Sequence, residues 1–379
     1  MHQCVRFTLA VVLATTVGLS MTTAGSAGAD RGVRPDPQAP PPLELQWDRA
    51  DTWLADAWQP APARGAREEA ATHFIGFDGN AYPTAGPRVD GRGGTVYFGE
   101  EMDSACAFGG PRFARALKRL SKLADTIEAS GRQVVFSVAP NKSAVNKQSL
   151  PKRLPHGSCD RRGIAAQDRI MDTFRDDRYV QVRERLEARS RRGVAVYWQL
   201  DNHWTSVAAS HYARSLARQL DPRLARRQTF KPTQETITVD MYFLGGSGTV
   251  EETGPGRAST TPVKVRGVAG GGLPTAGGPV VPDVSWVTSP PRRTWRGSTL
   301  LVGDSFTYRA LPTLMPLFRR GRFFWTTPGA EDMLIREIPR HRTVVIEVVQ
   351  RYLPISPLVK KSFRRALAKA LGSRYSPRS

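Results

Sequence analysis

The chain has 379 residues, enough to bury a sizeable core, and we expect one large domain rather than two small ones. Lysine and arginine outnumber the acidic residues by 55 to 34, which gives a net charge of +21. This excess favours an anionic cell surface or polysaccharide as partner, with drift of the composition toward arginine as the alternative. Because no helix-turn-helix, zinc or RNA-binding signature is present, we expect no nucleic-acid partner.

Residues 1–29 have the organisation of a secretory signal peptide. Arg6 precedes an apolar run over residues 7–21, and small residues ending at Ala29 form an Ala-x-Ala cleavage site. An uncleaved membrane anchor is the alternative, since the run is only slightly short for a membrane span. No other stretch is apolar enough to cross a bilayer. We therefore expect an exported protein located in the periplasm, the cell envelope or the extracellular space.

Export also sets the redox state that we expect for the cysteines. Cys4 leaves with the signal peptide, so Cys106 and Cys159 remain as candidates for a disulfide. Two free buried thiols are the alternative.

The folded domain is predicted over residues 46–372, between two unstructured segments. Residues 30–45 are rich in proline and predict an extended tether, and residues 373–379 predict a flexible tail. Within the domain, a helix is predicted over residues 49–58, followed by short strands and turns in GFDGNAYP and GGTVYFGEEM. Apolar residues at helical spacing predict an amphipathic helix over residues 111–130.

Five apolar runs predict the strands of one sheet: QVVFSVAP, VAVYWQL, STLLVGDSF, GRFFWTT and RTVVIEVVQ, in chain order. A helix or helix pair is predicted over residues 163–191, another helix from near Thr205, and a basic amphipathic helix over residues 357–370. Residues 245–293 are rich in glycine and proline and predict strands with irregular excursions. Apolar strands alternating with helices predict an α/β protein, a three-layer α/β/α fold around a mostly parallel sheet.

Polar side chains follow three of these runs directly. QVVFSVA is followed by Asn141, VAVYWQL by Asp201 and His203, and STLLVG by Asp304 and Ser305. In a mostly parallel sheet the ligand site lies at the carboxyl ends of the strands. We therefore expect these side chains to meet, although His203 and Ser305 are 102 residues apart in the sequence.

The residue types at these positions suit acyl transfer. A serine hydroxyl needs a base to become a nucleophile, and of the six histidines only His203 follows a predicted strand with a carboxylate two residues before it. Asp201 would accept the Nδ1 proton of His203 and leave Nε2 facing Ser305. The backbone N–H of Ser305 and the side chain of Asn141 would stabilise the oxyanion. This pattern predicts a covalent acyl-serine intermediate.

Each motif also has a structural interpretation. Asp201 could cap the helix that starts near Thr205, with His203 a solvated turn residue, and Asp304 and Ser305 could cap the helix after their strand. Both motifs at successive strand ends favour catalysis over capping. Asp304 itself is assigned to the turn rather than to a triad.

Two further residues have structural interpretations, and the sequence lacks the motifs of a metal or cofactor site. Trp204 is predicted to pack in the core, and Glu347 to form an ion pair with Arg351, four residues further on. The sequence has no His, Cys or acidic cluster with metal-ligand spacing and no glycine-rich loop before a Lys-Ser or Lys-Thr pair. We therefore expect neither a metal nor another cofactor.

Together these motifs resemble one known family, the SGNH-hydrolase-like alginate O-acetyltransferases of the exported AlgX/AlgJ type. The resemblance rests on VYFGEE from Val96, VAPNKSAV from Val138 with Leu154 and Pro155, DNHWT from Asp201, GDSFT from Gly303 and EVVQRYL from Glu347. As in that family, the histidine motif precedes the serine.

The resemblance implies Ser305 as the nucleophile, His203 as the base and Asp201 as the residue that orients it. It also implies transfer of an acetyl group to a polysaccharide hydroxyl, and a membrane-bound O-acyltransferase as the partner that supplies acetyl. Two other hypotheses remain: a carbohydrate acetylesterase with the same triad, and a non-catalytic glycan-binding protein.

Overall fold

The computed structural model describes most of the predicted domain. The predicted signal peptide, tether, first helix and tail lie outside the described residues. The described residues are 73–239, 250–273, 281–288, 294–326 and 329–372.

Runs of helices and runs of strands occupy the middle of the described chain, and helices alternate with strands towards its end. The strands are β1 (His73–Ile75), β2 (Ala81–Pro83), β3 (Arg88–Asp90), β4 (Val96–Phe98), β5 (Gln133–Ala139), β6 (Phe230–Thr238), β7 (Glu251–Ser259), β8 (Val263–Leu273), β9 (Val281–Thr288), β10 (Trp295–Gly303), β11 (Phe318–Trp325) and β12 (Thr343–Val349). The helices are α1 (Gly99–Glu128), α2 (Lys142–Val145), α3 (Ser158–Thr173), α4 (Arg183–Ser190), α5 (Ser206–Leu220), α6 (Pro222–Arg227), α7 (Ser305–Leu314), α8 (Glu331–Glu337) and α9 (Lys361–Gly372).

The largest sheet has six strands in the order β5-β12-β10-β11-β9-β8. Neighbours from β5 to β11 are parallel, whereas β9 pairs antiparallel with β11 and β8 pairs antiparallel with β9. The mostly parallel sheet predicted from the sequence is therefore confirmed, and β5, β12 and β10 end at the same edge.

Both faces of this sheet are covered, because side chains along a strand point alternately to opposite faces. On β12, Val344 and Ile346 pack with apolar residues of α1, α8 and α9, while Val345 and Val349 pack with residues of α5 and α7. The three-layer α/β/α architecture is confirmed. Glu347 shares the α5 and α7 face with Val345 and Val349.

The run VAVYWQL is not a strand of this sheet, contrary to the prediction. The chain turns back on itself here: Thr205 N donates to Val196 O at 3.1 Å, Trp198 N donates to His203 O at 3.3 Å, and an isolated bridge joins Tyr197 to Trp204. Val196 and Tyr197 are nonetheless buried. A buried loop and a central strand can have the same apolar composition, so hydropathy did not separate them. We name residues 194–205 the histidine loop.

Other predicted elements are present with shifted bounds. The helix predicted over residues 111–130 begins earlier, at Gly99, and continues through a kink at Gly109, whose φ of 48° favours glycine. The segment 163–191 forms the pair α3 and α4. The predicted strands of the glycine-rich stretch appear as β7, β8 and β9, and the rest of that stretch lies largely outside the described residues.

A disulfide joins Cys106 on α1 to Cys159 on α3, which confirms the predicted pairing. Of the helices in the described part of the chain, none has the length and apolar character needed to span a bilayer.

Candidate active site

The serine motif forms a strand-to-helix turn (residues 303–307), which we name the nucleophile turn after the role predicted for Ser305. β10 ends at Gly303, and Ser305 is the first residue of α7. Asp304 is the N-cap: its Oδ1 accepts a hydrogen bond from Phe306 N at 2.9 Å, and its Oδ2 accepts one from Val349 N at 2.7 Å. Asp304 thus belongs to the turn, as expected, and places the partly exposed Ser305 at the positive end of the helix dipole.

Glycine is required at the start of this turn. A Cβ on Gly303 would lie 2.1 Å from Thr307 Oγ1 and 3.1 Å from Glu347 Oε2. The missing side chain lets the first turn of α7 approach β12 closely enough for Thr307 to bind Glu347.

The carboxylate and the imidazole of the histidine loop are bonded to each other. Asp201 is fully buried, and its Oδ1 accepts hydrogen bonds from His203 N at 2.7 Å and from His203 Nδ1 at 2.8 Å. The carboxylate therefore places the ring proton on Nδ1 and leaves Nε2 as the basic nitrogen. Asp201 does not cap the following helix, because Thr205 is the N-cap of α5.

A buried lysine, which the sequence analysis missed, holds the histidine loop in place. Lys142 is 0% exposed, and its Nζ donates to the carbonyl oxygens of Val96 at 2.6 Å, Gln199 at 2.7 Å and Asp201 at 3.1 Å. The Tyr197 hydroxyl also donates to Pro140 O at the end of β5. The available signal was the position of Lys142 directly after a buried strand, where a charge must find several partners.

The histidine loop and the nucleophile turn lie against each other. Trp204 Nε1 donates to Phe306 O at 3.0 Å, and the ring centroids of His203 and Phe306 are 5.0 Å apart. Arg309 on α7 has Nη2 3.8 Å from Asp201 Oδ2. Neighbours of Ser305 in the chain thus contact His203 and Asp201 directly. Trp204 is 1% exposed and packs in the core, as predicted.

Asn141 follows β5 at the same edge of the sheet as Ser305, two strands away. It is 1% exposed, and its backbone N–H donates to Gln350 Oε1 at 2.9 Å. Two strand spacings are about 10 Å, a gap that a side chain and a bound substrate together can span. Its role as an oxyanion donor stays a prediction.

Glu347 does not pair with Arg351, contrary to the prediction. Its Oε2 accepts hydrogen bonds from Thr307 Oγ1 at 2.7 Å and from Thr307 N at 3.2 Å. Burial, followed by the nearby charge of Asp304, raises the pKa of Glu347 well above its ordinary value. The Arg351 guanidinium instead lies 5.5 Å from the ring centroid of Phe306 and 4.8 Å from that of Tyr352. The four-residue spacing suggested an ion pair. However, Glu347 lies in β12 and Arg351 lies after its end, and the two side chains contact different neighbours.

In the described residues no group of three or more His, Cys, Asp or Glu side chains could hold a metal ion.

Comparison with known proteins agrees with this architecture. Residues 89–245 match the family model described as the SGNH hydrolase-like domain of the acetyltransferase AlgX. The predicted resemblance and the SGNH hydrolase-like fold class are thereby confirmed. The matched segment contains Asn141 and the histidine loop and ends before Ser305. None of the curated proteins matches the chain in sequence.

Several solved structures resemble this one. The O-acetyltransferase domain of Pseudomonas putida AlgJ is 18% identical, with a TM-score of 0.47, over 76% of this chain and 99% of that one. Bacillus cereus PatB1 is 13% identical, with a TM-score of 0.45, over 66% of this chain and 92% of its own. Pseudomonas aeruginosa AlgX is 13% identical, with a TM-score of 0.43, over 78% of this chain and 68% of its own.

Proposed function

We propose that this chain, whose residues 89–245 match the SGNH hydrolase-like domain of the acetyltransferase AlgX, is an exported serine-dependent O-acetyltransferase. Its acceptor is a hydroxyl group of a cell-surface or secreted polysaccharide, and the acetyl group passes through an acetyl-serine intermediate. The observation that carries the proposal is the contact between the two motifs: the bonded Asp201–His203 pair lies against Phe306, the residue after Ser305.

In the first half-reaction Ser305 Oγ attacks the carbonyl carbon of the acetyl donor. His203 Nε2 takes the hydroxyl proton and returns it to the leaving group as the tetrahedral intermediate collapses. Asp201 stabilises the imidazolium that forms between these steps. The product is acetyl-Ser305 and the protonated leaving group.

In the second half-reaction a sugar hydroxyl replaces the leaving group. His203 removes the proton of that hydroxyl as its oxygen attacks the acetyl-serine, and then returns the proton to Ser305 Oγ. The Ser305 backbone N–H, at the start of α7, and the Asn141 side chain would stabilise both oxyanions, and each such donor is worth roughly 10²–10³ in rate.

Export and the acetyl source belong to the same proposal. The Ala-x-Ala signal at residues 1–29 and the disulfide between Cys106 and Cys159 both suit an oxidising compartment. The family resemblance implies a partner that delivers acetyl across the membrane to an exported transferase. We propose a membrane-bound O-acyltransferase for that step.

An acetyl-transfer assay on the purified protein tests this function. A chromogenic acetyl ester serves as donor and oligosaccharides of several classes as acceptors. We expect Ser305→Ala and His203→Ala to lower transfer by at least about 10³-fold. The exposed Ser362 and His73 provide matched control variants, Ser362→Ala and His73→Ala, which should retain full transfer.

The outcomes separate the candidate functions. Acetylated sugar that depends on Ser305 and His203 supports the transferase. Release of acetate that depends on both residues, with every acceptor unmodified, identifies an esterase instead. Wild-type protein that binds glycan and turns over no ester would be a glycan-binding protein.

A further inference from the structure

Two buried carboxyl groups lie side by side beneath the nucleophile turn. Asp304 and Glu347 are 7% and 1% exposed and are within hydrogen-bonding reach of each other. Two adjacent carboxylates in a buried site cannot both be ionised without a large energetic cost. One of them must therefore carry a proton.

The hydrogen bonds show which one it is. Both oxygens of Asp304 accept backbone N–H groups, from Phe306 and Val349, and such bonds favour the ionised form. Glu347 Oε2 accepts two hydrogen bonds from Thr307, whereas Oε1 is buried and receives none from the described residues. An ionised Oε1 would be an unsatisfied buried acceptor, but a protonated one is a donor to Asp304.

We propose that Glu347 is a positioning residue: it keeps its proton at the working pH, donates it to Asp304, and so holds the turn that carries Ser305 against the sheet. The inference rests on the proposed function for its catalytic consequence. Its structural part, the shared proton, stands independently of that function.

The other charged and titratable groups around the pair agree with this assignment. Burial raises the pKa of Asp304, and the backbone N–H groups of Val349 and Phe306 and the Arg351 guanidinium, which follows β12, oppose that rise. Tyr197 of the histidine loop and Tyr212 of α5 face the pair, and burial raises the pKa of both phenols, so they stay neutral. Glu101 of α1 is also buried, which raises its pKa.

The raised pKa of Glu347 determines whether the stability of the folded state rises or falls with pH. A group that binds its proton more tightly in the folded state stabilises that state fully below its unfolded pKa, and this stabilisation is lost as the pH rises through its folded pKa. Alkaline pH should therefore loosen the nucleophile turn. Glutamine reproduces the protonated form, because its amide can accept from Thr307 and donate to Asp304 at any pH.

The test compares Glu347→Gln with Glu347→Met, which has neither donor nor acceptor, and with the exposed control Glu184→Gln. The urea midpoint of each is measured from about pH 5 to about pH 9, a range that spans a raised carboxyl pKa, together with kcat for acetyl transfer. We expect the midpoint of the wild type and of the control to fall with pH more steeply than that of Glu347→Gln. We expect Glu347→Met to lose at least about tenfold in kcat at neutral pH, and Glu347→Gln to restore most of it and extend activity to higher pH.

Two results would overturn the inference. Parallel stability profiles for the wild type and Glu347→Gln would show that Glu347 holds no extra proton in the folded state. A Glu347→Gln variant as inactive as Glu347→Met would show that a charged carboxylate is required. If the stability difference is present but the wild type transfers no acetyl, the proposed function fails while the shared proton remains.

Discussion

The nucleophile turn and the histidine loop meet at one edge of the sheet, yet they are held in place by opposite means. The nucleophile turn lies between a regular strand and a regular helix, and two acidic side chains, Asp304 and Glu347, bind its backbone and Thr307. The histidine loop is irregular, and one buried cation, Lys142, binds its carbonyl oxygens. A site can thus combine one segment that is positioned by regular secondary structure with another that lacks regular structure and is positioned by a buried charge.

Of the four variants in this comparison of the two segments, Asp201→Asn should have the largest effect on activity, and it tests the histidine loop. The amide cannot stabilise the imidazolium as a carboxylate does, so we expect kcat for acetyl transfer to fall by roughly 10²–10⁴-fold, with little change in the urea midpoint. The exposed Asp332 gives the matched control, Asp332→Asn. Unchanged kcat in Asp201→Asn would show that Asp201 does not assist His203 in the reaction.

Lys142→Met tests whether the cation holds the loop. Methionine keeps the apolar stem but leaves the carbonyl groups of Val96, Gln199 and Asp201 without their donor. We expect a loss of about 3 kcal/mol in the free energy of unfolding, measured by urea denaturation, and faster hydrogen exchange at the His203 amide. Lys122→Met, on the exposed face of α1, is the control and should change neither. Slow exchange at His203 in Lys142→Met would mean that the loop is held without the lysine.

Gly303→Ala tests how the nucleophile turn is held against β12. The added methyl group would overlap Thr307, so the turn must move away from Glu347. We expect about 2 kcal/mol of destabilisation from this overpacking, and the urea midpoint measures it. Gly372→Ala adds the same methyl group where nothing lies within 4 Å, and it should be neutral or slightly stabilising. Equal midpoints for the two variants would contradict the close approach of α7 and β12.

Thr205→Ala should have the smallest effect on stability. It tests the N-cap of α5, the counterpart of Asp304 at the start of α7. Thr205 Oγ1 accepts from Ala208 N at 3.4 Å and donates to Ala195 O at 2.8 Å. Its removal should cost about 1 kcal/mol of unfolding free energy, visible as a lower melting temperature, while the exposed Thr173→Ala should be neutral. A larger loss than that of Lys142→Met would show that the cap, not Lys142, positions the loop.

The regular half of the site could be predicted from the sequence. The run STLLVG is apolar and β-branched, and it is followed by Asp304, a good N-cap, and then by helical spacing. Each of these signals is local, so the strand, the turn and the helix follow from neighbouring residues.

The irregular half could not be predicted in the same way. The histidine loop is buried by contacts with segments far away in the chain, and its apolar residues therefore had the composition of a strand. The shared proton of Asp304 and Glu347, and the three acceptors of Lys142, arise between residues more than 40 positions apart. Such pairings depend on the tertiary fold and leave no periodic pattern in the sequence.

The place of β12 in the sheet has a consequence for the timing of assembly. β12 is the last strand of the described residues, but it lies between β5 and β10 in the sheet. When the chain is available for folding only as far as α7, the strands that precede Asn141 and Ser305 are present and the strand that separates them is not. These two residues can take their final spacing only after Val349 has been added. The strand order therefore makes formation of the site a late step in the folding of the chain.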